Sequence, residues 1–367
     1  MTKKLFAVCA VAGLIVSLAG STLAHDENKP VQPGEKVERS LPVDAQAVVT
    51  LCVASGTLRV HGWDKNEIRV RSTDATQIEF RRIDKVKVKE PLKPAARVDV
   101  MVVDKSIVMK PQRDCQALAS VEMDVPAGAT VQVQTRDGDI MIAGVAAAYA
   151  GSQNGDITIE RATKLVEAGS VGGSILLRNS SGRVNLSSAG GGVEAINIRP
   201  ASDEDTLEVG TVSGDIQLDR VSIAKVTAKT VNGALMMSGP LAKSGYYAFS
   251  NVTGDVVLAL PSDASFQLSA KVSQKHDIVS DFNLKYVNEP PAPPAAKPRP
   301  APVATPKPPA SKGQPLPRSG PVVAPIIVER PDLPAPYVLR RITAVCGSGD
   351  ATISIASFGG TVRLKKI

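Results

Sequence analysis

From Val48 onward, apolar and polar residues alternate in short runs. Val48-Val49-Thr50-Leu51-Cys52-Val53, Thr57-Leu58-Arg59-Val60-His61-Gly62, Ile68-Arg69-Val70-Arg71, Val86-Lys87-Val88-Lys89, Val98-Asp99-Val100-Met101-Val102-Val103 and Ser106-Ile107-Val108-Met109 all follow this pattern. A period of two places one face of a strand in a core and the other in water. Clusters of Gly, Pro, Asp and Asn separate the runs, as turns require. Almost no stretch carries the 3.6-residue period of a helix. Residues 41–125 therefore read as an antiparallel strand-rich cap.

From Thr130 the turns become self-similar. Asp137-Gly138-Asp139-Ile140, Asn154-Gly155-Asp156-Ile157, Gly172-Gly173-Ser174-Ile175, Gly191-Gly192-Val193, Ser213-Gly214-Asp215-Ile216, Asn232-Gly233-Ala234-Leu235 and Thr253-Gly254-Asp255-Val256 recur about every twenty residues. A second strand lies between successive turns, as in Val131-Gln132-Val133-Gln134 and Lys225-Val226-Thr227-Ala228. This period is that of a solenoid, in which one coil cannot bury its apolar face but stacked coils can. Propeller blades need about 40 residues and aromatic markers. The fold class is all-β: a β-solenoid, parallel β-helix or β-roll-like, over residues 126–288. Ile140, Ile157, Ile175, Ile216, Leu235 and Val256 should form an interior ladder at about 4.8 Å spacing. The preceding glycines fit a tight turn with positive φ.

Residues 289–336 break the pattern. Seventeen of the 27 prolines fall between 290 and 336. Such a segment cannot join a sheet, and it reads as a disordered, extended insertion. It is basic, and its functional reading is a spacer or a contact for anionic polymer. Strand character returns in Gly347–Ile355 and Gly359–Leu364. A tail of this size cannot bury a core alone, so residues 337–367 should close the same solenoid.

The N-terminus is an address. Lys3 and Lys4 precede an apolar run from Leu5 to about Gly20, and Ser21-Thr22-Leu23-Ala24 offers small residues for cleavage. Residues 1–24 read as a secretory signal peptide, too short to span a membrane comfortably, followed by a flexible stretch at 25–40. No later segment is long and apolar enough for a transmembrane span.

The 367 residues carry 43 basic against 36 acidic side chains, a formal +7. Loss of Lys3 and Lys4 with the signal leaves +5, too little and too scattered for nucleic acid. Three His and one Trp leave little for a metal centre or a base-stacking platform. Export permits a disulfide among Cys52, Cys115 and Cys346. All three pairings are open; Cys52 with Cys115 is the first choice because both lie in the N-terminal part.

Among candidate sites, the turn residues Gly138, Asp139, Gly155, Asp156, Gly173, Gly214, Asp215, Gly233, Gly254 and Asp255 stand out. Stacked carboxylates could hold Ca²⁺, but Ser174 and Ala234 interrupt the series and the nonapeptide calcium pattern is missing. The expected role is structural, an Asx-type bond to the local backbone. Glu160, Glu167, Glu194 and Glu208 show no equivalent repeat positions in the sequence, and no acid–base pair or nucleophile constellation stands out. No catalytic residue, metal or cofactor is expected.

Taken together, Gly56-Thr57-Leu58-Arg59-Val60-His61-Gly62-Trp63-Asp64, Glu67-Ile68-Arg69-Val70, Val125-Pro126-Ala127-Gly128-Ala129, the serial Gly-Asp-Ile turns and the closing Ala356–Leu364 resemble the bacterial putative-adhesin family (domain of unknown function 4097). The resemblance covers about 48–285 and 340–367; the long Pro-rich insertion departs from it. It implies a β-solenoid with an envelope or surface location and brings no catalytic residues. The expected function is an exported, non-catalytic adhesin-like binding or scaffold module in the periplasm, outer envelope or cell surface. Its partner would be an envelope polymer or a protein, met by flat strand faces rich in Ser, Thr, Asn, Gln, Arg and Lys. The alternatives are a carbohydrate-active β-helix enzyme and an envelope-stress regulatory partner.

Overall fold

The computed structural model describes residues 37–72, 75, 77–83, 97–103, 117–273, 278–288 and 339–367. Residues 1–24, read from the sequence as a signal peptide, residues 289–336, read as a disordered insertion, Cys115 and the runs at Val86 and Ser106 lie outside the described residues. Within residues 36–367, the described chain forms two facing sheets and no helix. Ten coils each give one strand to either sheet. Seven of them run in chain order, from Thr130–Asp137 with Ile140–Ala143 to Tyr246–Thr253 with Val256–Leu260.

Among the ten coils the register within each sheet is parallel and column-true. In one sheet, Leu58, Ile140, Ile157, Ile175, Val193, Ile216, Leu235, Val256 and Val362 are successive partners. The isoleucine ladder expected from the turns is therefore the spine of this sheet, and every member is buried. The opposite sheet answers with Val49, Val131, Ala148, Val166, Val184, Leu207, Val226, Tyr247 and Ile353. Each large aliphatic side chain so enclosed contributes roughly 1.5–3 kcal/mol.

A third inner column carries hydroxyls: Thr135, Ser152, Ser170, Ser188, Thr211 and Thr230, followed by Asn251 and Ser357. They sit beside the first corner, where the turn carbonyls need donors. Ser170 Oγ donates to Gly155 O at 3.1 Å and accepts from Gly173 N at 2.9 Å. Ser188 Oγ repeats this with Gly173 O at 2.9 Å and Gly191 N at 3.0 Å. Thr135 Oγ1, at the front of the column, is buried without a partner. Ser188→Ala should therefore cost about 1–3 kcal/mol, whereas Thr135→Val should be close to neutral. Urea midpoints of the two variants check this; equal losses would refute the ladder's role.

The turn glycines also form a column. A Cβ on Gly138, Gly155, Gly173, Gly191, Gly214, Gly233, Gly254 or Gly360 would come closer than 3.0 Å to the carbonyl oxygen of the glycine one coil earlier. Close stacking, more than backbone conformation, thus demands glycine here. Gly233 and Gly254 have positive φ, but Gly138, Gly155, Gly173 and Gly214 do not, which corrects the expectation from turn type. In the fourth repeat the stacked residue is Gly191, while Gly192 takes the place of Asp215 in the next coil. The second corner is the left-handed one: Gly144, Arg161, Asn179, Asn197, Arg220 and Gly239 all have positive φ.

The front of the stack begins before residue 126. Val48–Ser55 and Leu58–Trp63 form the first coil, pairing parallel with Thr130–Asp137 and Ile140–Ala143. In front of them Val121–Pro126 and Arg97–Val103 add parallel strands, and Glu67–Ser72, Val37–Pro42 and Gln77–Ile83 add antiparallel ones. The flexible stretch expected up to residue 40 thus ends by Val37, where this edge strand starts.

The back of the stack is out of chain order. Ala351–Gly359 inserts between Tyr246–Thr253 and Phe266–Ser273, parallel to both. Val362–Lys366 likewise lies between Val256–Leu260 and Ile278–Ser280. The C-terminal segment is thus an internal coil, with the coil of residues 266–280 stacked outside it. Leu339–Cys346 then pairs antiparallel with Phe266–Ser273, and Lys285–Asn288 covers its free edge. The two ends of the Pro-rich insertion therefore emerge from neighbouring strands.

Candidate functional site

The alternation that sends isoleucine inward sends its neighbours outward in equally regular columns. On the sheet containing Ala147–Ser152 and Leu165–Ser170, one outer column reads Thr50, Gln132, Tyr149, Glu167, Asn185, Glu208, Thr227. The column beside it reads Gln134, Gly151, Gly169, Ser187, Gly210. Small residues beside large ones leave an open depression of about 450 Å³, lined by Gln132, Tyr149, Glu167 and Asn185 over the floor of Gly151 and Gly169. The opposite sheet has a smaller counterpart of about 370 Å³ around Thr158, Leu176, Glu194 and Gln217.

Tyr149 is the aromatic member of the first depression. Partial burial pushes its hydroxyl above the usual tyrosine range, the Glu167 carboxylate adds to this, and Arg183 opposes it. The phenol therefore stays protonated at neutral pH and presents both a ring face and a donor. Glu167 and Glu208 share the column with Asn185 between them. They lie two strand spacings apart, about 9.6 Å. This corrects the reading that these glutamates occupy unrelated positions: the repeat lengths between them differ, so linear spacing hides the alignment.

The turn aspartates form a different column on the corner. Asp156 N donates to Asp139 Oδ1 at 3.0 Å, Ser174 N to Asp156 Oδ1 at 2.7 Å, Ala234 N to Asp215 Oδ1 at 2.7 Å and Thr361 N to Asp255 Oδ1 at 2.9 Å. Each carboxylate thus ties its coil to the next, rather than closing its own turn as an Asx bond would. No cluster able to hold a metal ion occurs among the described residues. Nearby, hydrogen bonds from Arg136 and Asn154 hold the Asp137 carboxyl below its ordinary range. Its contribution to the folded state is present at neutral pH and is lost as the pH falls through the carboxylate range.

At the front cap, Asp124 is almost enclosed by Arg69 at 2.8 Å and Arg71 at 3.0 Å. Arg69 also stacks on Trp63, whose indole N–H donates to Glu67 O. The two arginines neutralise Asp124 and fasten the cap strands together, while Arg71 Nε is buried without a hydrogen-bond partner. Cys52 is disulfide-bonded and Cys346 is a free thiol; Cys115, the partner expected from sequence, lies outside the described residues. Among the described residues no helix is long and apolar enough to cross a membrane.

Sequence reading missed Tyr149 and the hydroxyl column. The signal was present in the hydroxyl or Asn residue three positions before each turn glycine. Aligning the coils on that residue puts Tyr149 and Glu167 in one column.

Three solved structures are similar to this chain. A putative cell adhesion protein from Clostridium sporogenes is 9% identical, with 91% of this chain and 100% of that one covered and a TM-score of 0.20. A putative adhesin from Parabacteroides merdae is 9% identical, with 62% and 90% covered and a TM-score of 0.37. A putative adhesin from Bacteroides fragilis is 10% identical, with 91% and 99% covered and a TM-score of 0.34. No curated protein matches the chain. The family model described as Toastrack DUF4097 matches residues 44–288, about two thirds of the sequence, and the chain belongs to that family.

Proposed function

We propose that this protein is an exported, non-catalytic binding or scaffold module of the cell envelope or surface, holding an extended polymer along its outer sheet faces. The observation that carries this reading is the open depression around Tyr149. There polar groups repeat once per coil, at about 4.8 Å, beside a floor of glycine. A flat, repetitive surface offers many weak contacts to a repetitive ligand, and the aromatic ring supplies one stronger anchor. The leader-like N-terminal sequence supports export.

The test is binding of the mature protein to immobilised peptidoglycan and envelope polysaccharides. Tyr149→Ala should weaken binding about tenfold, equivalent to about 1.4 kcal/mol, while Glu167→Gln should leave most of it. Unchanged binding by Tyr149→Ala would remove this face from consideration. A second reading, a carbohydrate-active enzyme, is favoured by the Glu167–Glu208 spacing, which lies near the upper end of the roughly 6.5–9.5 Å used by inverting glycosidases. In that case Glu167→Gln or Glu208→Gln would abolish release of reducing sugar ends; the binding reading expects no release from the unaltered protein.

A further inference from the structure

The outer faces are mostly polar, with scattered apolar residues such as Met141 and Met236 on the opposite sheet, and one run of them is continuous. The residue that follows each buried hydroxyl points outward, and in six consecutive coils it is Val171, Ala189, Val212, Val231, Val252 and Phe358. Val171 is 59% exposed and Val212 50%. The flanking columns offer little cover: Gly169, Ser187, Gly210, Lys229, Ser250 and Ala356 on one side, and Gly172, Gly190, Ser213, Asn232, Thr253 and Gly359 on the other. Lys229 is the one ionisable side chain in these three columns. The row ends at Gln153 and Arg136 in front and at Ser273 behind. An apolar strip with defined ends and a single charge at its margin has the composition of an interface core.

The dimensions select the occupant. Val171 to Phe358 spans five strand spacings, roughly 24 Å, and three columns are about 10 Å wide. The strip thus offers on the order of 300 Å², far below the roughly 800 Å² per partner that a stable dimer needs. It fits a single extended segment. The chain contains one: residues 321–328 read Pro-Val-Val-Ala-Pro-Ile-Ile-Val and carry no charge. Eight residues at about 3.1 Å each cover roughly 25 Å. The described chain resumes at Leu339, which pairs with Ser273, the residue behind Phe358 in the same row. The ten residues 329–338 reach at most about 33 Å, enough to set Val328 beside Phe358 and Pro321 near Val171.

We propose that the Val171–Phe358 strip is the docking surface for residues 321–328 of the same chain. Proline does not oppose this, because the segment would lie on a sheet face and need not donate to a ladder. Tethering ten residues away raises the local concentration to about the millimolar range, so even weak apolar contact suffices for occupancy.

Photo-crosslinking of the full chain tests the proposal. With Ile326→p-benzoylphenylalanine, irradiation should give a product of monomer mass, with the link mapped between Val171 and Val252. The double variant Val212→Asp, Val231→Asp should cut that yield at least tenfold, and an outward Thr227→Asp control should leave it intact. Circular dichroism establishes that each variant is folded. Links of dimer mass to the strip would overturn the assignment to the same chain, and links mapped elsewhere, or unchanged by the double variant, would overturn the strip itself. None of these readouts depends on the polymer face around Tyr149.

Discussion

Gly173→Ala should destabilise the fold by at least about 3 kcal/mol, among the largest losses available from a single methyl group. The added carbon would overlap the Gly155 carbonyl, and backbone atoms locked in two parallel ladders cannot move aside. The strain would pass to neighbouring coils, because each corner rests on the one before. Gly151→Ala is the matched control. That glycine lies on the outer face, where a new Cβ meets only Gln134 Cγ at 3.8 Å. Its change should stay within about 0.5–1 kcal/mol and favour the folded state, since glycine weakens a strand. Urea unfolding of the pair decides the matter: similar midpoints would mean that the corners do not stack as described.

Removing residues 339–367 should abolish cooperative folding of the back of the solenoid. The deletion takes Ile353, Ile355, Val362 and Leu364 from the core, all essentially buried. At about 1.5–3 kcal/mol each, their loss alone falls within the roughly 5–15 kcal/mol that holds a typical domain together. It also bares Tyr247, Phe249, Val256 and Leu258 on one side and Phe266 and Leu268 on the other. Replacing residues 291–320 with an eight-residue Gly/Ser linker, which keeps the docking segment 321–328, should shift stability by only about 1 kcal/mol, since loop-closure entropy changes slowly with length. Differential scanning calorimetry separates the two variants. A truncated chain that melts like the full one would show that the last coil is an appendage.

Much of this architecture is legible in the chain because a solenoid writes its geometry once per turn. Ile140, Ile157, Ile175, Ile216, Leu235 and Val256 could be aligned by eye, and the structure stacks them in that order. Less visible was the reason for the glycines. A residue without a side chain signals both a positive φ and a close approach, and sequence cannot separate the two. Which of Gly191 and Gly192 stacks is hidden for the same reason, since two adjacent glycines are interchangeable on paper. Nothing in the sequence separates Ser152, Ser170, Ser188 and Thr211 from surface polar residues, although burial beside a carbonyl is what fixes them. Chain order concealed the internal position of residues 351–366, because strand exchange at the back of a stack leaves no trace in periodicity. The outer columns were hidden by repeat length: Glu167 and Glu208 are 41 residues apart, yet only two coils separate them.

The central claim is that outward residues climb the sheet by one strand spacing per coil. Spin labels placed on Gln132 and, in turn, on Glu208, Thr227 and Ala248, in a Cys346→Ser background, measure this by pulsed electron resonance. The backbone separations should be about 19, 24 and 29 Å, rising by about 4.8 Å at each step. Distances that jump irregularly, or that fail to increase along the series, would contradict the stacked coils.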